Sequence, residues 1–185
     1  MKRAAAAVLV ALALTASAQA ADLPGVHEEP RYEPAATFVA SILAYKPIKV
    51  YCGNDAAGWQ QTLATAYPDG VPFPPLGPAG FADTWGTWSG GEYLSPTTCN
   101  TLATRSIYSR GFAYAVLTLA HEAVHLSGVL SPYDEWGTDC TAVSDVWAVA
   151  GLYFDVRQPA LTAVHEAALA AHLQKPPNYR GTGSC

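Results

Sequence analysis

The run LTLAHEAVHLSG, residues 117–128, constrains the fold of this chain more than any other sequence feature. Most of its residues are apolar and recur at helical spacing, which predicts a buried helix that stops at Gly128. Two histidines and a glutamate lie inside this run, at His121, Glu122 and His125. Because unpaired ionisable groups are costly to bury, the fold must contain something that compensates them.

A metal ion would compensate these groups. Residues four apart on a helix are separated by about 40° around the axis and about 6 Å along it, so His121 and His125 point the same way and can bind one ion. Glu122 lies beside them, where it can reach a metal-bound water as a general base instead of acting as a ligand. The HExxH spacing therefore predicts a catalytic Zn²⁺ site.

Such a zinc site needs a third protein ligand, and the candidates follow in YDEWGTDC. Glu135 and Asp139 are four residues apart and share a helix face. This ExxxD pattern resembles the second motif of the gluzincin metallopeptidases, which implies Glu135 as the third ligand. The resemblance also implies that Asp139 accepts the outer N–H of His121.

Two alternatives stay open for this acidic pair. Asp139 is the ligand in the first, since GTD is similar to the GTxxD element of the aspzincins, although here the aspartate follows GT directly. In the second, Glu135 and Asp139 are both solvated at the start of a helix and bind no metal.

The likeness to known proteins extends beyond these two motifs. LSPTTCNTL, LTLAHEAVHLSG and DEWGTDC together resemble a group of small exported actinobacterial proteins with LSPxxC, LTLAHExxHxxG and DExxxxC motifs, over roughly residues 50–185. Asp139 stands where members of that group commonly have glutamate. The resemblance implies a metallopeptidase-like architecture and no particular substrate.

The amino terminus predicts export. MKR precedes a short alanine-rich apolar run and SAQA, with small residues at Ala18 and Ala20, which is typical of a secretory signal peptide over residues 1–20. The alternative is an uncleaved anchor. Removal of Lys2 and Arg3 would leave 8 basic and 15 acidic side chains and a net charge of −7. That charge argues against nucleic acid or an anionic membrane as a partner.

Four cysteines follow the predicted cleavage site, and an even number in an exported chain suggests two disulfides. We favour the pairs Cys52–Cys99 and Cys140–Cys185, one in each half of the chain, although the spacing leaves all three pairings open. None of the four has CxxC spacing, so a cysteine zinc knuckle is not expected.

The remaining sequence predicts one domain. Residues 21–35 are rich in proline and charge and are interpreted as a flexible N-terminal arm, and residues 36–185 as a single zincin-like domain. The first half predicts short strands, including a hairpin within 81–96, and the second half predicts three long helices, over 109–128, 135–157 and 159–173. We therefore expect an α+β fold, with a small antiparallel sheet packed on a helical C-terminal half that carries HExxH.

Together these patterns predict a secreted zinc-dependent hydrolase, most simply a metallopeptidase that acts on a peptide or protein substrate with Glu122 as general base. One alternative is a non-catalytic, disulfide-stapled exported domain with a structural or vestigial metal site. Another is a metal-free binding module, which requires the HExxH spacing to be accidental. His165 and His172 are interpreted as surface or interface histidines. The candidates for stabilising an oxyanion, which the sequence does not rank, are Tyr133, His165, His172, Tyr179 and Arg180.

Overall fold

The structure is a computed structural model that describes residues 23–28, 36–70, 79–88, 90–104, 110–181 and 185. The signal peptide predicted for residues 1–20 lies outside this part. Within it the α+β class is confirmed, because a small sheet comes from the N-terminal half and most of the helices from the C-terminal half. Across the described ranges, no helix has both the length and the apolar character needed to cross a membrane.

Four short strands form one sheet in the order β1-β2-β4-β3. The hairpin of β3 with β4 is antiparallel, as predicted, and so is the pair of β1 with β2. The central pair, β2 with β4, is parallel, so the sheet is mixed and not wholly antiparallel as expected. The reason is that a helix separates β2 from the hairpin and returns the chain to the same end of the sheet. The strands are Val26–Glu28, Val50–Gly53, Gly80–Ala82 and Glu92–Leu94.

Part of the segment that we interpreted as a flexible N-terminal arm belongs to the domain. Leu23 is buried, and β1 forms a ladder with β2. The interpretation is therefore wrong for residues 23–28, because apolar burial and backbone hydrogen bonds hold them against the sheet. Residues 29–35 lie outside the described part of the chain.

The helices lie close to the predicted positions. The helix that carries HExxH ends at Ser127, before Gly128, whose φ of +71° is the left-handed conformation that glycine adopts readily. The helix expected over 135–157 is shorter, because a π-helical turn follows it at Val149–Tyr153. The helices are α1 Ala36–Leu43, α2 Ala56–Ala66, α3 Pro96–Thr104, α4 Arg110–Ser127, α5 Glu135–Ala148, α6 Ala160–His172 and α7 Pro177–Arg180.

Both faces of the sheet are buried. On one face the rings of Tyr51 and Tyr93 stack with centroids 5.0 Å apart, and Phe81 stacks on Tyr93 at 4.9 Å, beneath α2. Leu94 points to the opposite face and joins the main core around α4. Because side chains alternate along a strand, Glu92 lies on the same face as Leu94 and therefore points toward the core.

Helix α4 is the centre of the fold. It contacts α1, α3, α5, α6 and the sheet, and 14 of its 18 residues are buried. A helix that is covered on all sides is apolar around its whole circumference, which explains why the run around HExxH shows almost no polar face. The three ionisable residues of the motif are therefore inside the protein and not on a solvated surface.

Both favoured disulfides are present. Cys52–Cys99 joins β2 to α3, and Cys140–Cys185 joins α5 to the carboxyl terminus. They link residues 47 and 45 positions apart. In the chain-entropy model, loops of this length stabilise a fold by about 4 kcal/mol each.

Helix α5, which supplies both acidic candidates, begins at a side-chain cap. Oδ1 of Asp134 accepts a hydrogen bond of 2.9 Å from the backbone N–H of Gly137. We expect Asp134→Ala to lower the free energy of unfolding by about 1 kcal/mol, because it leaves that N–H without an acceptor. Urea denaturation measures the change. Asp134→Asn keeps an acceptor oxygen and should retain most of the stability, and equal losses in the two variants would contradict the capping role.

Candidate metal centre

Three potential ligand atoms from α4 and α5 converge on one point. The Nε2 atoms of His121 and His125 are 3.0 Å apart, and Oε2 of Glu135 lies 3.1 and 3.3 Å from them. Ligands at the corners of a tetrahedron with metal–ligand distances of about 2.0–2.1 Å would be about 3.3 Å apart. The three atoms are therefore spaced as a single tetrahedral metal ion requires.

Asp139 lies behind His121 and fixes the orientation of its ring. Nδ1 of His121 is 2.9 Å from Oδ1 of Asp139, whose side chain is fully buried. Since an ionised carboxylate only accepts hydrogen bonds, Nδ1 of His121 carries a proton and donates it. Nε2 of His121 then faces Glu135 and His125. The lone pairs of these three atoms, 3.0–3.3 Å apart, repel one another unless a proton or a metal ion lies between them.

Glu135 and Asp139 occupy different positions relative to the two histidines. Glu135 lies beside both Nε2 atoms and is partly exposed, whereas Asp139 contacts only the far side of the His121 ring. That arrangement corresponds to the gluzincin-like alternative, with Asp139 behind the ligands. An Asp139 ligand does not fit these positions, and neither does a solvated Asp139.

The histidines and carboxylates of the cluster stabilise one another's charged forms. Burial lowers the pKa of His121, but its hydrogen bonds to Asp139 and Glu135 outweigh burial and raise that pKa to about 9. Burial raises the pKa of Glu135, but its hydrogen bonds with His121 and His125 bring it down to about 2. These pKa shifts favour a proton on His121 beside Glu135, and a metal ion bound at this point would have to displace it.

Glu122 lies next to the ligands without joining them. Its side chain is 9% exposed and lines the same cavity as His121, His125 and Glu135. Burial raises the pKa of Glu122, although the two histidines oppose this effect. A raised pKa makes this carboxylate a stronger base, and a general base in hydrolysis must accept a proton and later return it.

The ligand atoms open into a cavity of about 150 Å³. Tyr67, just after α2, and Tyr179, in α7, lie in its wall. Burial and the carboxylates of Glu122 and Glu135 raise the pKa of both tyrosines, so both keep their O–H hydrogen. Either hydroxyl can therefore donate a hydrogen bond to an anionic oxygen in this cavity.

Of the five residues that the sequence offered as oxyanion donors, Tyr179 is the one that lines the cavity. Tyr133 is 79% exposed, and His165 packs against the ring of Trp147. Sequence reasoning missed Tyr67. It reaches the site only because α2 folds across the sheet, and no local pattern indicates such a long-range approach.

His172 was also misjudged. We interpreted it as a surface or interface histidine, but it is fully buried, and its Nδ1 lies 2.5 Å from Oδ2 of Asp139. Nζ of Lys175 also contacts Asp139. A sequence signal for the burial of His172 was present, since it continues an apolar series with a spacing of four. The buried residues of α6 are Ala160, Val164, Ala168 and His172.

A second group of potential ligands lies behind the first. Cys140, His172 and Cys185 are close enough for one metal ion. The two cysteines are bonded to each other, so neither offers the thiolate that binds metal. The three residues therefore form a disulfide with a histidine beside it.

Comparison with protein-family models, with curated proteins and with solved structures finds no match to this chain. The resemblance to the gluzincins and to the actinobacterial group is therefore a resemblance of motifs.

Glu92 is a buried carboxyl group that no motif indicated. It is fully buried in β4, and neither of its carboxyl oxygens has a hydrogen-bond partner among the described residues. Burial, with a smaller effect from the nearby Glu122, raises the pKa of Glu92 well above its usual value. The fold therefore favours the neutral acid, which avoids the much larger cost of burying an unpaired charge.

We expect Glu92→Met to raise the free energy of unfolding by about 1–3 kcal/mol at neutral pH, because it removes a buried polar group without partners. The gain should increase as the pH rises above 4.5. Folded Glu92 keeps its proton there while unfolded Glu92 loses it, so the contribution of Glu92 to wild-type stability becomes less favourable as the pH rises. Urea denaturation across that range measures both effects. Glu92→Gln should remove only the part of the pH dependence that Glu92 contributes, because the amide does not titrate. A Glu92→Met variant less stable than wild type would refute the unfavourable burial of Glu92.

Proposed function

We propose that this chain is a zinc-dependent hydrolase with His121, His125 and Glu135 as metal ligands. The observation that carries the proposal is the convergence of two imidazole nitrogens and a carboxylate oxygen to 3.0–3.3 Å, with the other nitrogen of His121 occupied by Asp139. Two imidazoles and one carboxylate, with a fourth position open, form a known ligand set of catalytic zinc sites. The donor chemistry therefore fits zinc.

An open fourth position favours catalysis over a structural role. Structural zinc sites are closed by four protein ligands, whereas here the side that faces the cavity has no ligand among the described residues. A structural site would also have no need of Glu122. We therefore prefer the hydrolase to the alternative of a non-catalytic, metal-stabilised domain.

Zinc in this site would supply a Lewis acid that polarises a carbonyl oxygen and lowers the pKa of water. Glu122 is placed to take a proton from water in the cavity and to deliver it to the leaving group. Asp139 keeps the ring of His121 in one orientation throughout. Tyr179 and Tyr67 donate hydrogen bonds where negative charge develops on the substrate oxygen.

These groups also support a proposal for the substrate class. Cleavage of an amide needs a group that protonates the departing nitrogen, and Glu122 supplies one after it has accepted a proton. We therefore propose a peptide or protein substrate, which makes the enzyme a metallopeptidase. Residues 1–20 support export as a signal peptide, and two disulfides are typical of an oxidising compartment, so we propose that the enzyme is secreted.

Metal analysis and peptide hydrolysis test the proposal together. Protein purified without an affinity tag should contain about one zinc ion per chain, and His121→Ala should lose it. Glu122→Gln should keep the metal and hydrolyse a peptide library about 10²–10⁴-fold more slowly. His165→Ala removes a histidine outside the site and should change neither property. Wild-type protein that binds no zinc, or a fully active Glu122→Gln variant, would refute the assignment.

The two cavity tyrosines give a separate test. We expect Tyr179→Phe to lower kcat about 10²–10³-fold with little change in KM, because its hydroxyl acts on charge that appears only in the transition state. Tyr67→Phe should act in the same direction. Tyr133→Phe is the matched control, since this exposed tyrosine does not line the cavity. Equal activity of Tyr179→Phe and Tyr133→Phe would exclude the oxyanion role for Tyr179.

A further inference from the structure

Asp139, which orients His121, is itself held by the carboxyl-terminal part of the chain. Its Oδ1 accepts from Nδ1 of His121 at 2.9 Å, and its Oδ2 lies 2.5 Å from Nδ1 of His172. Nζ of Lys175 forms an ion pair with the same carboxylate. Each oxygen of Asp139 therefore has its own donor, and the carboxylate has no freedom to rotate without breaking one of these contacts.

His172 is in turn placed against the C-terminal disulfide. Its Nε2 lies 3.2 Å from Sγ of Cys185, which is bonded to Cys140. Cys140 directly follows Asp139 in α5. A closed ring of contacts therefore runs from Asp139 to His172, on to Cys185, across the disulfide and back to α5.

Gly181, close to the carboxyl terminus, also packs against α5. Gly181 has a φ of +54°, and a Cβ on it would lie 2.7 Å from the ring of Trp136. Only glycine permits both this backbone conformation and this close approach. Trp136 follows Glu135, so Gly181 packs against α5 before Asp139, and Cys185 is bonded to α5 directly after it.

We propose that His172 is a positioning residue of the metal centre. It holds Asp139 in the orientation that presents Nε2 of His121 to the metal, and the Cys140–Cys185 disulfide keeps His172 in place. The inference rests on the proposed function, because it assigns a role at the same metal site. Loss of an outer partner of a ligand typically weakens metal binding by about 10–100-fold, which sets the expected size of the effect.

Two polar substitutions of His172 separate positioning from simple burial. Asparagine places its N–H near the position of Nδ1 and can donate to Asp139, whereas glutamine places its N–H near the position of Nε2 and leaves Oδ2 of Asp139 without that donor. We expect His172→Gln to weaken zinc binding about 10–100-fold and His172→Asn to restore most of it. Competition with a chromophoric chelator measures both affinities. His165→Gln, on the same helix but away from Asp139, should bind zinc as the wild type does.

The disulfides form a second matched pair. Replacing Cys140 and Cys185 together by serine should weaken zinc binding in the same direction as His172→Gln. Replacing Cys52 and Cys99 together by serine removes a disulfide that closes a loop of similar size, and it should lower thermal stability without weakening zinc binding. Equal zinc affinities in the two double variants would overturn the role of the C-terminal disulfide.

A measurement on zinc-free protein tests the positioning role of His172 independently of the proposed function. In zinc-free protein, a fixed Asp139 protects the Nδ1–H of His121 from exchange with water, so its NMR signal should be observed in wild type and in His172→Asn and be lost in His172→Gln. If wild type binds zinc and His172→Gln binds it equally well, the positioning role is wrong and the proposed function stands. If wild type binds no zinc, the proposed function fails, and a signal kept in His172→Gln would overturn the positioning role as well.

Discussion

The hydrogen bond between Nδ1 of His121 and Asp139 is the interaction on which the rest of the site depends. It decides which nitrogen of His121 faces Glu135 and His125, and it thereby brings three electron-pair donors together at 3.0–3.3 Å. The two imidazoles are almost fully buried, whereas Glu135 is partly exposed and the three atoms open into the cavity. The close approach of these donors favours a cation among them, either a proton or a metal ion, so the core helix and the candidate site are one element.

Buried carboxyl groups show where stability and function conflict. Glu122 and Glu92 both point into the protein, and burial raises the pKa of each. A fold selected for stability alone would have apolar residues at both positions, and such local inconsistencies are expected at functional sites. Glu122 is explained by its place in the cavity wall. Burial of Glu92 lowers the free energy of unfolding, because neither of its carboxyl oxygens has a hydrogen-bond partner in the described part of the chain.

The parts of the site that sequence could predict are those set by helical geometry. The relation of His121 to His125 and that of Glu135 to Asp139 depend only on a spacing of four, and a short connection from α4 to α5 brings the two pairs together. No such spacing predicts that Tyr67 lies at the site, since its position depends on how α2 crosses the sheet. The parallel pair of β2 with β4 was missed for the same reason: strand order depends on long-range packing and not on local periodicity.

The two halves of the chain contribute different residues to the lining of the site. The candidate ligands and Glu122 come from α4 and α5, whereas β3 and Tyr67 from the first half of the chain also line the cavity. The position of β3 in this lining depends on how closely β3 packs on α4. At Gly80 a Cβ would lie 3.0 Å from the side chain of Thr118, one helical turn before His121. The missing side chain at Gly80 lets the sheet approach α4 closely, so backbone packing in the core contributes to the shape of the cavity that β3 and α4 line.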